Sequence, residues 1–349
     1  DPVRLLRLAR FAEQLAFTVD PVAQAAARAS ADRLWRAPGE RLAMELGRIL
    51  MLPRPDRALR ILDRIAVLGV LVPQLEDCRG VTQSPYHHLD VLGHTLEVVE
   101  HATALAADPE PVFRGRAARV RERLATPLAD ELTNREGLLL AALLHDMAKA
   151  ATRGMMEGGR ITFIGHDRLG ADMAGAFCER LRSANRLRDM VSLLILRHLP
   201  LGFLVHRTPL SLRQIDRYLR LTAPYEPEVI LLTVADRLAT NGPRTGESAI
   251  RRHLVLAREV MDQYFALADR GPVRPLVGVD RIAHELGRAP GPWMGRLLEA
   301  LREEQLVGAV TTAEATMRFA REWDRRDRER EAAERTEGHL PEGSGPNGA

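Results

Sequence analysis

Lysine is almost missing from this chain of 349 residues: of its 50 basic residues only Lys149 is a lysine, and the other 49 are arginines. Aromatic residues make up only 4%, which argues against a fold built on aromatic-rich strands. Cys78 and Cys178 are the only cysteines, too few for a disulfide framework, so they read as buried thiols in a reducing compartment, the cytoplasm. No stretch reads as the ~20 uncharged apolar residues of a membrane span, and no signal-peptide pattern opens the chain, so no membrane partner is expected. An excess of one charge is also lacking, since 50 basic against 47 acidic residues leaves +3. Such a balance permits a nucleic-acid partner without requiring one.

The chain is instead rich in leucine, alanine and arginine, with 46% hydrophobic residues. Strong helix formers at that density predict an all-α protein with few strands. Apolar residues at helical spacing separated by Pro or Gly predict a bundle of short helices, a helical neck, over residues 1–75. A histidine-bearing body follows at 76–267, with a polar, partly helical connector after its first helix. A small helical tail at 268–322 and a charged helix end with a flexible terminus at 323–349 complete the expected organisation. The opening "DPVRLLRLARFAEQL" already reads as an amphipathic helix, and because it begins at Asp1 rather than Met the chain is expected to be cut from something longer.

Metal-binding side chains recur in apolar helical settings: His94 in "LGHTL", His145 and Asp146 in "LLHDMAK", His166 in "FIGHD", His198 in "LRHLP" and Asp236 in "VADRLA". Each alone reads as a satisfied core residue, but the ordered series reads as a metal site. Neighbouring residues on a helix point about 100° apart, so His145 and Asp146 reach one ion only where the helix ends, or serve two ions. Imidazole with carboxylate suits zinc, iron or manganese, and a carboxylate between two ions suits phosphoryl chemistry. Asp236 sits inside "VILLTVADRLA", where an unpaired carboxylate is costly, so a partner is required. Lys149 follows Asp146 by one helical turn, placed to contact a substrate phosphate or the leaving oxygen.

This H…HD…D series resembles the motif of the HD superfamily of metal-dependent phosphohydrolases. On that resemblance His94, His145, Asp146 and Asp236 match the motif, and His166 and His198 match the extra histidines of members with two metals. It implies one or two divalent ions (Mn, Ni, Fe, Zn or Mg), with Asp146 and Lys149 as the catalytic pair.

A wider resemblance covers residues 1 to about 322. "DPVRLLRLARFAEQLAFTVD" is similar to the stretch of tRNA nucleotidyltransferases and bacterial poly(A) polymerases that joins catalytic head to helical neck. The segments "SPYHHLDVLGHT", "HDMAKA", "FIGHDRLGA" and "GRAPGPWMGRLLEALREEQLVGAVTT" look like the HD-containing members in the same order. The resemblance implies that Asp1 and Arg4 would contact the base of an incoming nucleotide. The family's Gly-Ser phosphate loop and paired carboxylates are expected to lie ahead of Asp1.

Two functions are therefore expected. One is a metal-dependent phosphohydrolase acting on a phosphomonoester, a 2′,3′-cyclic phosphodiester or a related nucleotide, within a CCA-adding-type protein. The other is a non-catalytic tRNA-binding body and tail, with Arg7 and Arg10 beside Arg4 on one helical face offered to RNA phosphates or paired with nearby carboxylates.

Overall fold

The structure, a computed structural model, describes residues 1 to 337. The expected flexible terminus "TEGHLPEGSGPNGA" falls mostly at 338–349, outside the described residues. The protein is all-α, as expected, with two antiparallel two-stranded sheets among the described residues: Pro127–Ala129 with Leu132–Thr133, and Gly154–Met155 with Ile161–Thr162.

The chain divides into two compact units. One comprises Asp1–Leu210 with Arg217–Ala266, so the first two expected domains share it. It begins with short helices at Arg4–Gln14, Pro21–Ala29, Gly39–Leu50, Pro55–Arg64, Val67–Leu71 and Pro73–Asp77. Three of the six start with Pro, where the missing N–H costs nothing, and Asp20 accepts from the N–H groups of Val22 and Ala23. Arg4–Gln14 buries Leu5, Leu6, Ala9 and Ala12 on one face and packs on Pro55–Arg64 and Gly39–Leu50.

At the heart of this unit lies the helix Asn134–Leu144, started by a Thr133/Glu136 capping box and buried everywhere except at Arg135. A helix apolar all round has no solvent face, so other helices must surround it. Val91–Ala107, Asn185–Arg197 and Glu226–Ala239 do so. Contrary to the sequence expectation, one stretch, Asn185–Arg207, is long and apolar enough to cross a membrane by length and composition. Its first part packs against the central helix and against His166–Arg180, and helix geometry is interrupted near His198 before Pro200–Leu204.

The second unit comprises Ser211–Asp216 and the described residues from Leu267 onward. Its core joins Ile282, Trp293, Leu297, Leu301, Met317 and Ala320, from the helices Val279–Leu286, Trp293–Leu306 and Ala313–Glu337. The last helix runs unbroken through residue 322, where a boundary was expected. Its charged stretch is partly buried: Asp324 and Asp327 are buried, and Arg288 pairs with them at 2.8 and 3.1 Å.

Candidate metal centre

The central helix ends at Leu144, leaving His145 as its cap and Asp146 in the turn beyond. His198 caps Asn185–Arg197 in the same way, and His166 is the first residue of His166–Arg180. Three imidazoles thus sit at helix termini, where the chain bends and neighbouring side chains can converge. His94 and Asp236 come instead from the interiors of Val91–Ala107 and Glu226–Ala239, which pack together. These residues, 142 positions apart in sequence, meet at 3.0 Å between His94 Nε2 and Asp236 Oδ1.

Their metal-binding atoms form two trios: His94, His145 and Asp236, then Asp146, His166 and His198, with the atoms of each trio within 4.8 Å of one another. Asp146 stands between them. Its Oδ2 lies 3.1 Å from His145 Nε2 and 3.7 Å from His94 Nε2, while Oδ1 lies 3.5 Å from His166 Nε2.

One device orients three of the rings. His145, His166 and His198 each direct Nδ1 at the carbonyl three residues earlier, on Ala142, Phe163 and Ile195, at 2.9, 2.6 and 2.6 Å. With Nδ1–H donating there, the Nε2 lone pair of each ring is left facing the cluster. His166 Nε2 and His198 Nε2 then oppose each other at 3.3 Å. The buried His145 Nε2 and both oxygens of Asp146 have no hydrogen bond of normal geometry. The Lys149 ammonium lies 2.7 Å from Asp146 Oδ2, but among the described residues the ring nitrogens that face one another have no such cation, and buried acceptors facing acceptors are costly unless one lies among them. Nitrogen and carboxylate donors so placed fit a divalent transition metal.

Burial resists charge throughout the cluster, and local pairing decides each outcome. Burial raises the Asp146 pKa, but His145 and Lys149 outweigh it and hold the carboxyl well below its usual range. Asp236 is likewise lowered against burial, chiefly by His94. Burial lowers the pKa of His145, yet Asp146 raises it overall. His198 falls to about 4 through burial and the nearby His145 and His166. Lys149 is buried rather than on the surface: Nζ lies 2.7 Å from Asp146 Oδ2, donates to Gln83 Oε1 at 2.8 Å, and sits 5.4 Å from the Phe163 ring centre.

Cys78 lies behind this turn, with Sγ 3.7 Å from the carbonyl oxygens of Asp146 and Met147, and burial pushes its pKa to about 11. It remains a thiol and supports the turn. Cys178 is also free and buried.

The trios open onto a cavity of about 690 Å³. Several lining residues were not picked out from sequence. His87 stacks edge-on against His94 with ring centres 4.9 Å apart, and Arg237, Arg244, Arg252 and His253 line another part of the wall. His87 was visible only as half of the "HH" pair in "SPYHHLD". Arg252 and His253 in "SAIRRHLV" carried no signal beyond a basic helix.

Asp1, Arg4, Arg7 and Arg10 do not line this cavity. Asp1 pairs with Arg41 at 2.7 Å, and Arg4 is exposed on the first helix. Arg7 and Arg10 turn to the fully buried Glu45, at 3.2 and 3.0 Å, and Arg48 reaches it at 2.7 Å. Of the two roles open to that stripe, the structure shows carboxylate pairing for Arg7 and Arg10.

An apolar helical core presenting histidine and aspartate ligands in this order defines a class, and the HD domain family model matches residues 91–241. The model described as "Probable RNA and SrmB- binding site of polymerase A" matches residues 16–78. The chain thus matches an HD domain and a polymerase-A-type RNA-binding segment in turn, and over most of its length it is similar to CCA-adding tRNA nucleotidyltransferases. It is 28% identical to the A-adding tRNA nucleotidyltransferase of Deinococcus radiodurans, covering 93% of this chain and 68% of that protein. It is 34% identical to the CC-adding tRNA nucleotidyltransferase of Thermus thermophilus, covering 81% of this chain and 56% of that protein. Among solved structures, the Thermotoga maritima CCA-adding enzyme complexed with tRNA aligns at a TM-score of 0.52 and 15% identity, over 92% of this chain and 60% of that one. At that identity the likeness concerns the fold. The chain thus spans roughly six tenths of the length of such proteins.

Proposed function

We propose that this chain is a metal-dependent phosphohydrolase module within a tRNA nucleotidyltransferase-related protein. One observation carries the reading: two trios of nitrogen and carboxylate donors lie side by side at the wall of one cavity, with Asp146 of the second trio 3.1 Å from His145 of the first. His94, His145 and Asp236 would hold one ion, His166 and His198 a second, with Asp146 between. A bound divalent ion would supply Lewis acidity toward a phosphoryl oxygen and the attacking water. The protein's own part is to keep Asp146 ionised, to fix the imidazole tautomers, and to place the Lys149 ammonium beside the carboxylate, where its charge favours a phosphate. The substrate class is a phosphomonoester or a cyclic nucleotide phosphodiester.

The test is hydrolysis of p-nitrophenyl phosphate and 2′,3′-cyclic AMP by chain stripped with chelator and reloaded with Mn²⁺, Ni²⁺ or Zn²⁺. Activity that depends on metal and disappears in Asp146→Ala is expected. Failure to retain metal, or turnover unaffected by that substitution, would sink the reading.

A second reading, an RNA-binding body, is favoured by the match at residues 16–78. It is compatible with the first and predicts tRNA binding that weakens steeply with salt whether or not metal is present. Because Glu45 already neutralises Arg7 and Arg10 in part, Arg10→Ala should leave the salt slope nearly unchanged.

A further inference from the structure

Part of the cavity wall is basic. Arg237, Arg244 and Arg252 line it, and none has a carboxylate partner among the described residues. Other arginines, such as Arg79 and Arg288, are tied to two or three carboxylates each and have no charge to spare for a ligand. The two acids lining the cavity, Asp146 and Asp236, already face histidines. His253, on Glu247–Arg270, lies on the same wall, is 2% exposed, and leaves both ring nitrogens without a hydrogen bond of normal geometry. A buried imidazole without partners costs stability, and a ligand that hydrogen-bonds it removes that cost.

Backbone contacts hold part of this wall in place. Gly242 N donates to Tyr86 O at 2.7 Å, Arg244 N to Pro85 O at 3.2 Å, and Thr245 Oγ1 to Tyr86 O at 2.8 Å. The Arg244 loop is thereby strapped to the loop that carries His87.

We propose that Arg237, Arg244, Arg252 and His253 form a second anion subsite, so that the substrate carries a second phosphate beside the one presented to the metal centre. This rests on the phosphohydrolase reading for what happens at the metal centre. Guanidinium groups present planar, paired donors that match phosphate oxygens, and unpaired ones gain most from a dianion. A nucleoside bisphosphate fits this chemistry, and the exposed rings of Tyr86 and Phe203 on the same cavity offer faces to its base.

Binding and turnover test it separately. Adenosine 3′,5′-bisphosphate and adenosine 3′-monophosphate are titrated calorimetrically into chelator-treated chain, into Arg244→Ala/Arg252→Ala, and into Arg251→Ala, a neighbouring exposed arginine that does not line the cavity. The unsubstituted chain should prefer the bisphosphate by about tenfold, the equivalent of one charge-assisted contact. The double variant should lose that preference and Arg251→Ala should keep it. Equal affinity for the two ligands, or loss of the preference in Arg251→Ala as well, overturns the subsite. Hydrolysis by metal-loaded chain is then measured: a bisphosphate preference without any turnover keeps the subsite and removes the phosphohydrolase reading, whereas turnover without the preference does the reverse.

Discussion

His166 Nε2 and His198 Nε2 face each other at 3.3 Å while each ring commits Nδ1 to the carbonyl three residues before it. Both opposed nitrogens are then acceptors, an arrangement that a shared cation relieves. Adding Mn²⁺ or Zn²⁺ to chelator-treated chain should therefore raise its melting temperature. At a hundredfold excess over Kd the gain is about 2.7 kcal/mol, or roughly 4 °C for a protein of this size. Differential scanning calorimetry with and without metal checks this, and identical melting curves would remove the case for a cation here.

Lys149 lies 2.7 Å from Asp146 and is itself buried, so the pair must be judged as buried. Removing one member of such a pair strands the other charge. Lys149→Met should destabilise metal-free protein by roughly 3–5 kcal/mol, with part of the loss recovered when metal is added. Urea denaturation in both states reads this directly. A loss below 1 kcal/mol without metal would mean that Asp146 is neutralised in some other way.

Gly242 admits no side chain. A Cβ there would fall 2.3 Å from the Tyr86 carbonyl carbon and 2.5 Å from His87 N. Gly242→Ala should part the strap, cost roughly 1–3 kcal/mol, and lower turnover through His87 and Arg244 while the metal content stays unchanged. Metal analysis beside steady-state kinetics separates this from general unfolding.

Glu45 is fully buried among Arg7, Arg10 and Arg48. Burial alone would raise its pKa, but Arg10 and then the other two arginines hold it below the usual 4.5. A carboxyl lowered by folding stabilises fully above its unfolded pKa, and that stability is lost as pH falls through the lowered value. Glu45→Gln should therefore cost about 2 kcal/mol at neutral pH, allowing for partial exposure of the arginines. The cost should shrink below pH 4.5. A pH series of denaturation midpoints tests both the size and the direction.

The all-α class, the short helices of the neck and the six clustered histidine and aspartate side chains were legible because each leaves a local mark. Helical spacing, Pro at helix starts, and polar groups set in apolar runs are properties of neighbouring residues. The end of a helix at Leu144 was one of two alternatives that geometry left open for His145 and Asp146, the other being two ions. Other features depended on partners distant in sequence. Arg7 and Arg10 read equally as an RNA-facing stripe or as paired cations until Glu45, 38 and 35 residues further along, was seen beneath them. His87, Arg252 and His253 acquired a role only when their loop and helix met the Asp236 helix around one cavity. By itself the sequence determined which helices form and which carry metal-binding groups, because periodicity and chemistry act over a few residues. The tertiary structure alone decided that Asp146 stands beside both trios and that three arginines of the cavity have no carboxylate partner among the described residues, because charge pairing in a folded chain depends on distance through space.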